Sequence, residues 1–370
     1  MPDKVLIIDH GKDVAGGQRS LVSFLSLAKK NSRLGFVVLL NRQNTELQDL
    51  LAGIEIPFFC FDFSKNILIK FLTIPKAIFS INKKYRFKVF YGNTFEGGVW
   101  AIYLKYVFSK PAIFRARLAV DIHNHGFIDK FLVKHANLVF ANSHYVKRSF
   151  ENRFHLHDSD KIKVIYNPVP ANPLGVIKAQ QGPKEKFVFA IIGRIQDIKN
   201  QLEGVRAFEL AWAQEKNIRL WLIGQPDVFD KGKYYQRLVE YVRERRLEDV
   251  VVFIPYVKKI EEILLQIDVA INCNAGEALS RSMFETQMAG IPNIAASGGG
   301  NIELITHEHT GLLYEAGNVE ALSQNMLRLS HDRVLYQDIS AASIKMVNEK
   351  FSLQQTVIKE INTINSLLSI

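Results

Sequence analysis

Short apolar runs alternate with segments of helical apolar spacing through two successive stretches of the chain. That alternation restricts the possible folds more than any other feature. In the first stretch the runs Lys4–Ile8, Phe36–Leu40, Phe58–Phe61, Lys88–Tyr91, Ala112–Phe114 and Leu138–Ala141 read as strands. Between them Gln18–Lys29, Thr45–Leu51, Asn66–Ser80 and Gly97–Phe108 read as helices, the third expected to break at Pro75, and another helix is expected before Leu138. The Pro-rich segment Asn167–Pro173 and the polar run Lys178–Lys186 interrupt the rhythm and mark a domain boundary near residue 170. A second cycle follows: strands at Phe187–Ile192, Leu220–Ile223, Val250–Ile254, Val269–Ile271 and Asn293–Ala296, and helices at Gln201–Ala213, Tyr234–Arg245, around Glu285, at Val319–Leu329 and through the tail Leu335–Leu368. Parallel strands need crossovers, and helices supply them, so the fold class is α/β with two mostly parallel, doubly wound sheets.

At 370 residues the chain is long enough for two cores. Cys60 and Cys273 are its two cysteines, which excludes a disulfide framework or a CxxC zinc site and suits a reducing cytoplasm. The apolar run near the N-terminus is too short for a signal peptide, and no run of eighteen apolar residues is present. GxGxxG and GxxxxGK[ST] are both absent, which disfavours a simple dehydrogenase or a P-loop NTPase. Residues 61–150 hold fifteen Lys and Arg against four acids, an excess of eleven that accounts for the net charge of +10 of the whole chain. Nucleic acid, anionic lipid and an anionic acceptor are each suitable partners for such a surface.

The stretch Asn272–Glu303 carries the most chemistry. Glu277 sits in a loop after an apolar run, and Glu285 eight positions on lies in a helical pattern. Gly298-Gly299-Gly300 follows the next apolar run. Strand, loop, helix N-terminus and glycine loop together offer backbone N–H groups to an anion. Ionised glutamates accept hydrogen bonds from hydroxyls. An anion beside hydroxyls describes a nucleotide-sugar. The plainer alternative is that Glu285 closes a capping box with Ser282, Glu277 is solvated and the glycines form a turn.

Glu277 to Glu285, then Gly299-Gly300 and Glu303, with Gly193-Arg194 and Lys199 upstream and Gly16-Gly17 near the N-terminus, resembles the retaining glycosyltransferases of family 4. The resemblance implies the GT-B fold: two Rossmann-like domains, 1–170 binding the acceptor and 171–350 binding the donor, facing a central cleft. It further implies that 351–370 returns to the first domain, the crossover falling at Phe351-Ser352-Leu353. It implies a metal-independent hexosyltransferase with no cofactor, its substrate a nucleotide-sugar with a UDP-sugar as first candidate, and its acceptor a glycan or lipid-linked molecule of a cell surface. Arg194 and Lys199 are then assigned to the donor diphosphate, Glu277 to the hydroxyls of the transferred sugar and Glu285 to the ribose. Leu279 and Ser280 offer N–H groups to phosphate or sugar, Gly193 and Gly16-Gly17 lie near the diphosphate, and Gly299, Gly300 and Asn301 form the far wall. Members usually carry E-G-F-G where this chain has Glu277-Ala278-Leu279-Ser280, a departure that bears on the sugar. Arg117 stands near the position of a family histidine, with His123 and His125 shortly after it, and none of the three is assigned a role.

Asp158-Ser159-Asp160 spells the metal-binding triplet of the GT-A glycosyltransferases, but its polar setting suits a turn better. The segment Asn66–Phe90 interleaves lysines with apolar residues, as a helix lying on the anionic inner face of a membrane would. The competing readings are a non-catalytic nucleotide-sugar-binding module, a sugar-nucleotide epimerase of similar architecture and, last, nucleic-acid binding, for which no recognised motif is present.

Overall fold

The computed structural model describes residues 3–120, 126–156, 159–167, 185–257 and 259–369. The chain divides into two compact units, Met1–Pro170 with Phe351–Ile370, and Ala171–Lys350.

The first unit runs β1 (Lys4–Asp9), α1 (Gly16–Asn31), β2 (Gly35–Asn41), α2 (Thr45–Gly53), β3 (Phe58–Phe61), α3 (Ile67–Tyr85), β4 (Phe87–Gly92), α4 (Phe95–Phe108), β5 (Ala112–Ala116), α5 (Gly126–His135), β6 (Leu138–Ala141), α6 (His144–Phe154) and β7 (Ile162–Val164). The second runs β8 (Phe187–Ile192), a 3-10 turn (Asp197–Lys199), α7 (Gln201–Gln214), β9 (Ile218–Ile223), α8 (Lys233–Glu244), β10 (Val251–Ile254), α9 (Glu261–Leu264), β11 (Val269–Asn272), α10 (Arg281–Met288), β12 (Asn293–Ala296), α11 (Asn301–Leu304), β13 (Leu312–Tyr314), α12 (Val319–His331) and α13 (Arg333–Lys350). α14 (Leu353–Leu368) belongs to the first unit.

Seven strands form the first sheet in the order β3-β2-β1-β4-β5-β6-β7. Six form the second in the order β10-β9-β8-β11-β12-β13. Every pairing is parallel. Strands covered on both faces must be apolar throughout rather than alternating. Val5 to Ile8 in β1 accordingly have no exposed surface. In each sheet the chain order reverses beside a central strand, between β1 and β4 and again between β8 and β11. Open α/β sheets bind ligands outside the carboxyl ends of the strands at such a point.

In the first unit α4 lies close on the sheet because Gly92 and Gly98 carry no Cβ: one built on Gly92 would overlap the backbone of Gly98. α14 adds Val357, Ile361 and Ile364 to the core formed by Leu21, Phe24, Leu25 and the β1–β2 strands. It also carries Glu360, buried with Arg115 and Tyr91. The Arg115 guanidinium and the Tyr91 hydroxyl both donate to the Glu360 carboxylate, and Arg115 Nε also meets the Tyr91 oxygen at 2.6 Å. Burial works against the charged guanidinium, yet Glu360 and Tyr91 outweigh it and hold Arg115 above its ordinary pKa.

α3 does not stop at Pro75 but continues to Tyr85 and ends at Arg86 in a left-handed conformation. A proline removes the N–H that would bond the carbonyl four residues back. That carbonyl belongs to Phe71, and the Tyr103 hydroxyl donates to it at 2.9 Å. Gly16 and Gly17, just outside the expected helix Gln18–Lys29, are the first two residues of α1. The helical tail divides into α13 and α14, parted at Phe351-Ser352. β7, β13 and α6 were not foreseen. The two strands are three residues each, and α6 buries only Val146, Ser149 and Phe150, too sparse a stripe to register.

Candidate functional site

The reversal between β8 and β11 gathers the charged residues of the second unit. After β8 the chain passes Gly193 and Arg194, makes the turn Asp197–Lys199 and enters α7 through Asn200, which is left-handed at φ 51°. After β11 the loop Cys273–Ser280 leads into α10. Lys199 Nζ donates to the Glu277 carboxylate, a pair 78 positions apart in sequence, with both side chains mostly shielded from solvent.

The Glu277 loop is shaped by asparagines. Asn274 Oδ1 accepts from the Gly276 N–H at 2.9 Å, and Asn272 Oδ1 accepts from the Asn274 N–H at 3.1 Å. Asn301, fully buried, donates to the carbonyls of Asn274 and Ala296 at 2.9 Å each and accepts from Asn272 at 3.2 Å. Short amide side chains that bond nearby backbone suit such turns. The glycine loop closes against the same segment. Gly299 is left-handed at φ 54°, and a Cβ there would lie 2.5 Å from the Glu277 carbonyl. The Gly300 N–H donates to that carbonyl at 2.6 Å, so it holds the loop and is not free for an anion.

α10 is capped by Ser280, whose Oγ accepts from the Met283 N–H at 3.4 Å. The proposed capping box between Ser282 and Glu285 does not form. Ser282 Oγ instead donates to the Ile192 carbonyl at 3.2 Å, pinning the start of α10 to the end of β8. Glu285 pairs with Arg281 one turn back, at 2.8 Å. The N–H groups of Leu279, Ser280, Arg281 and Ser282 have no acceptor among the described residues. They are the orphan donors of a helix N-terminus, where the backbone dipoles favour negative charge. No residue between Cys273 and Ala289 has a positive φ, so the backbone does not require glycine at Ala278 or Ser280. Arg194 is half exposed, with Nη1 3.8 Å from Asp227, an acid that the sequence reading did not single out.

Lys199, Glu277, Leu279 and Ser280 thus share the reversal point, with Glu285 in the second turn of α10. Gly193 and Arg194 lie at the β8 edge of the same place, while Glu303 is in α11. Gly16 and Gly17 lie in the first unit, where a Cβ on Gly17 would come within 3.2 Å of Arg117 Nε. Arg117 donates to Asn93 Oδ1 at 2.5 Å and Asn167 Oδ1 at 2.7 Å. Burial, then the neighbouring Arg115, lower it to about 10. His10, also unforeseen, follows β1 directly, with Nδ1 2.7 Å from Thr94 Oγ1 and Nε2 3.7 Å from Glu96. His123, His125 and Asp158 lie outside the described residues. The Ser159-Asp160 end of the acidic triplet does turn, the Ser159 carbonyl accepting from Ile162 at 3.0 Å, and Asp160 pairs with Lys163.

Residues 176–346 match the family model "Glycosyl transferases group 1". The chain is 23% identical over 236 residues to the N-acetyl-alpha-D-glucosaminyl L-malate synthase of Bacillus anthracis, covering 62% of this chain and 59% of that one. It is 25% identical over 190 residues to the UDP-Gal:alpha-D-GlcNAc-diphosphoundecaprenol alpha-1,3-galactosyltransferase of Escherichia coli, covering 48% of this chain and 47% of that one. Both matches span less than two thirds of the relative's length. The crystal structure of Anabaena HepE in complex with UDP and glucose superimposes with a TM-score of 0.84 at 20% identity, over 98% of this chain and 100% of that one. The fold of this chain is therefore GT-B.

Proposed function

We propose that this chain is a retaining, metal-independent glycosyltransferase that moves a sugar from a nucleotide-sugar, a UDP-sugar first, to a glycan or lipid-linked acceptor. The observation that carries the reading is the meeting of Lys199 and Glu277 beside the unpartnered N–H groups of α10, at the reversal point of the second sheet, where the topology favours a ligand. The matched family model spans these residues.

The reaction breaks the bond between the anomeric carbon and the diphosphate oxygen and forms one to an acceptor hydroxyl, whose proton passes to the departing diphosphate. Negative charge grows on that diphosphate. Lys199 and the N–H groups of Leu279 and Ser280 would stabilise it from fixed positions, and groups already oriented lose little in reorganising; half-exposed Arg194 would add a further positive charge. Glu277 would accept from the hydroxyls of the sugar. Glu285 would accept from the ribose, its position held by Arg281. Before the donor arrives, Lys199 and Glu277 neutralise each other. Donor binding would separate their roles, the lysine to phosphate and the carboxylate to hydroxyl.

Incubation with a panel of nucleotide-sugars, the products read by NMR, tests this. The expected result is release of UDP from at least one UDP-sugar, the freed or transferred sugar keeping its anomeric configuration. Inverted products would contradict retention. Binding without turnover across the whole panel would favour a binding module instead.

A further inference from the structure

α3 departs from the other helices of its unit. Its inward side is ordinary: Ile74 and Ile78 are buried, and Lys70 is tied to Glu96 at 2.8 Å and to the Phe63 carbonyl at 3.2 Å. Its outward side carries Leu68, Leu72 and Phe79, with 71%, 77% and 58% of their surface exposed. Positions i, i+4 and i+11 fall on one helical face, so these side chains form a single stripe. Ile67 and Ile69, each about half exposed, broaden it at the N-terminal end. Isolated exposed leucines need no explanation, but an aligned row on a solvent-facing side does.

The charges around the stripe are all of one sign. From Ser64 to Lys88 there are seven cations and no acid. All but Lys70 are exposed. Lys76 and Lys83 each stand four positions beyond a member of the stripe, Leu72 and Phe79, and Lys83 Nζ lies 5.1 Å from the centre of the Phe79 ring. The Tyr103 hydroxyl at the Phe71 carbonyl lets the helix pass Pro75, so α3 continues for nineteen residues and Phe79 stays in line with Leu68 and Leu72.

We propose that the outward face of α3 is an interfacial anchor that docks on a bilayer bearing anionic headgroups. The apolar stripe enters the acyl boundary while the lysines reach to the headgroups. A second copy of this chain fits poorly, because pairing two such faces would oppose cation to cation. Nucleic acid would reward the lysines but leave the protruding leucines and Phe79 without a partner. This inference rests on α3 alone and not on the donor site.

Co-sedimentation of the full chain with phosphatidylcholine vesicles, with and without 30% phosphatidylglycerol, tests it. Binding is expected to the anionic vesicles and to be at least tenfold weaker to the neutral ones. The triple variant Leu68→Ser, Leu72→Ser, Phe79→Ser should bind at least about tenfold more weakly at an unchanged melting temperature, since the replaced side chains face solvent. Lys76→Gln with Lys83→Gln should weaken binding by roughly fivefold per lysine and flatten its salt dependence. Equal partitioning of wild type and triple variant would overturn the proposal. So would a dimer that the triple variant abolishes, or retention by RNA in place of vesicles. A UDP-induced rise in melting temperature, read without vesicles, reports on the donor site separately.

Discussion

Lys199→Ala should lower the rate of sugar transfer by about a hundred- to a thousandfold, the scale of one lost donor to transition-state charge. The side chain is fixed before any ligand binds, by a turn ending in left-handed Asn200 and by the Glu277 carboxylate. The loss should appear in kcat and in the affinity for UDP alike, because the lysine acts on charge that is present in the bound donor and grows as the diphosphate leaves. The companion change Glu277→Ala separates this account from a purely structural ion pair. It removes the group that competes with phosphate for Lys199, so UDP should bind as tightly as before or more tightly while transfer falls. A mere structural pair would give two variants of equal, small effect, since a partly exposed ion pair contributes only up to about 1 kcal/mol. Steady-state kinetics and UDP titration of both variants decide the matter.

Glu360→Ala should destabilise the first unit by about 3–5 kcal/mol, because it strands the Arg115 charge in the interior. Glu360 and Arg115 are 1% and 3% exposed in their side chains, and the Tyr91 hydroxyl would lose its acceptor as well. For a unit of this size that corresponds to a fall in melting temperature of roughly 6–20 °C. The double replacement Arg115→Met, Glu360→Leu should cost less than the single one, since a buried pair exchanged for apolar groups of similar volume leaves no orphan charge. Thermal and urea unfolding of the two variants provide the check. A single-variant loss below about 1 kcal/mol would show that Arg115 finds water or another acceptor once Glu360 is gone. α14 is the last helix of the chain, so this network ties its C-terminal residues to the sheet that begins it.

The alternation of apolar runs and helical spacing was legible because fully buried parallel strands leave an unbroken apolar signature, as Val5 to Ile8 do. Three-residue strands such as β7 and β13 leave almost none, and α6 shows too little apolar surface. Pro75 misled for a physical reason: the rule that proline stops a helix assumes that the orphaned carbonyl stays unpaired, and Tyr103, from a different helix, is invisible to local spacing. At the candidate site Lys199 and Glu277 could be named from residue type and resemblance. Their direct pairing could not, because it depends on which strands neighbour each other in the sheet. Glu285 illustrates the opposite failure. A capping box with Ser282 fits the spacing, but Ser280 caps the helix and Ser282 turns to Ile192. The Gly300 N–H, offered by spacing as a free donor, is taken by the Glu277 carbonyl.

The central claim is that the reversal point of the second sheet holds a diphosphate. Calorimetric titration of the wild-type chain with UDP, UMP and uridine tests it most directly. UDP should bind at least about tenfold more tightly than UMP, and UMP more tightly than uridine, since Lys199, Arg194 and the α10 N–H groups act on phosphate charge. Equal affinity for all three, or no heat from UDP at all, would contradict it.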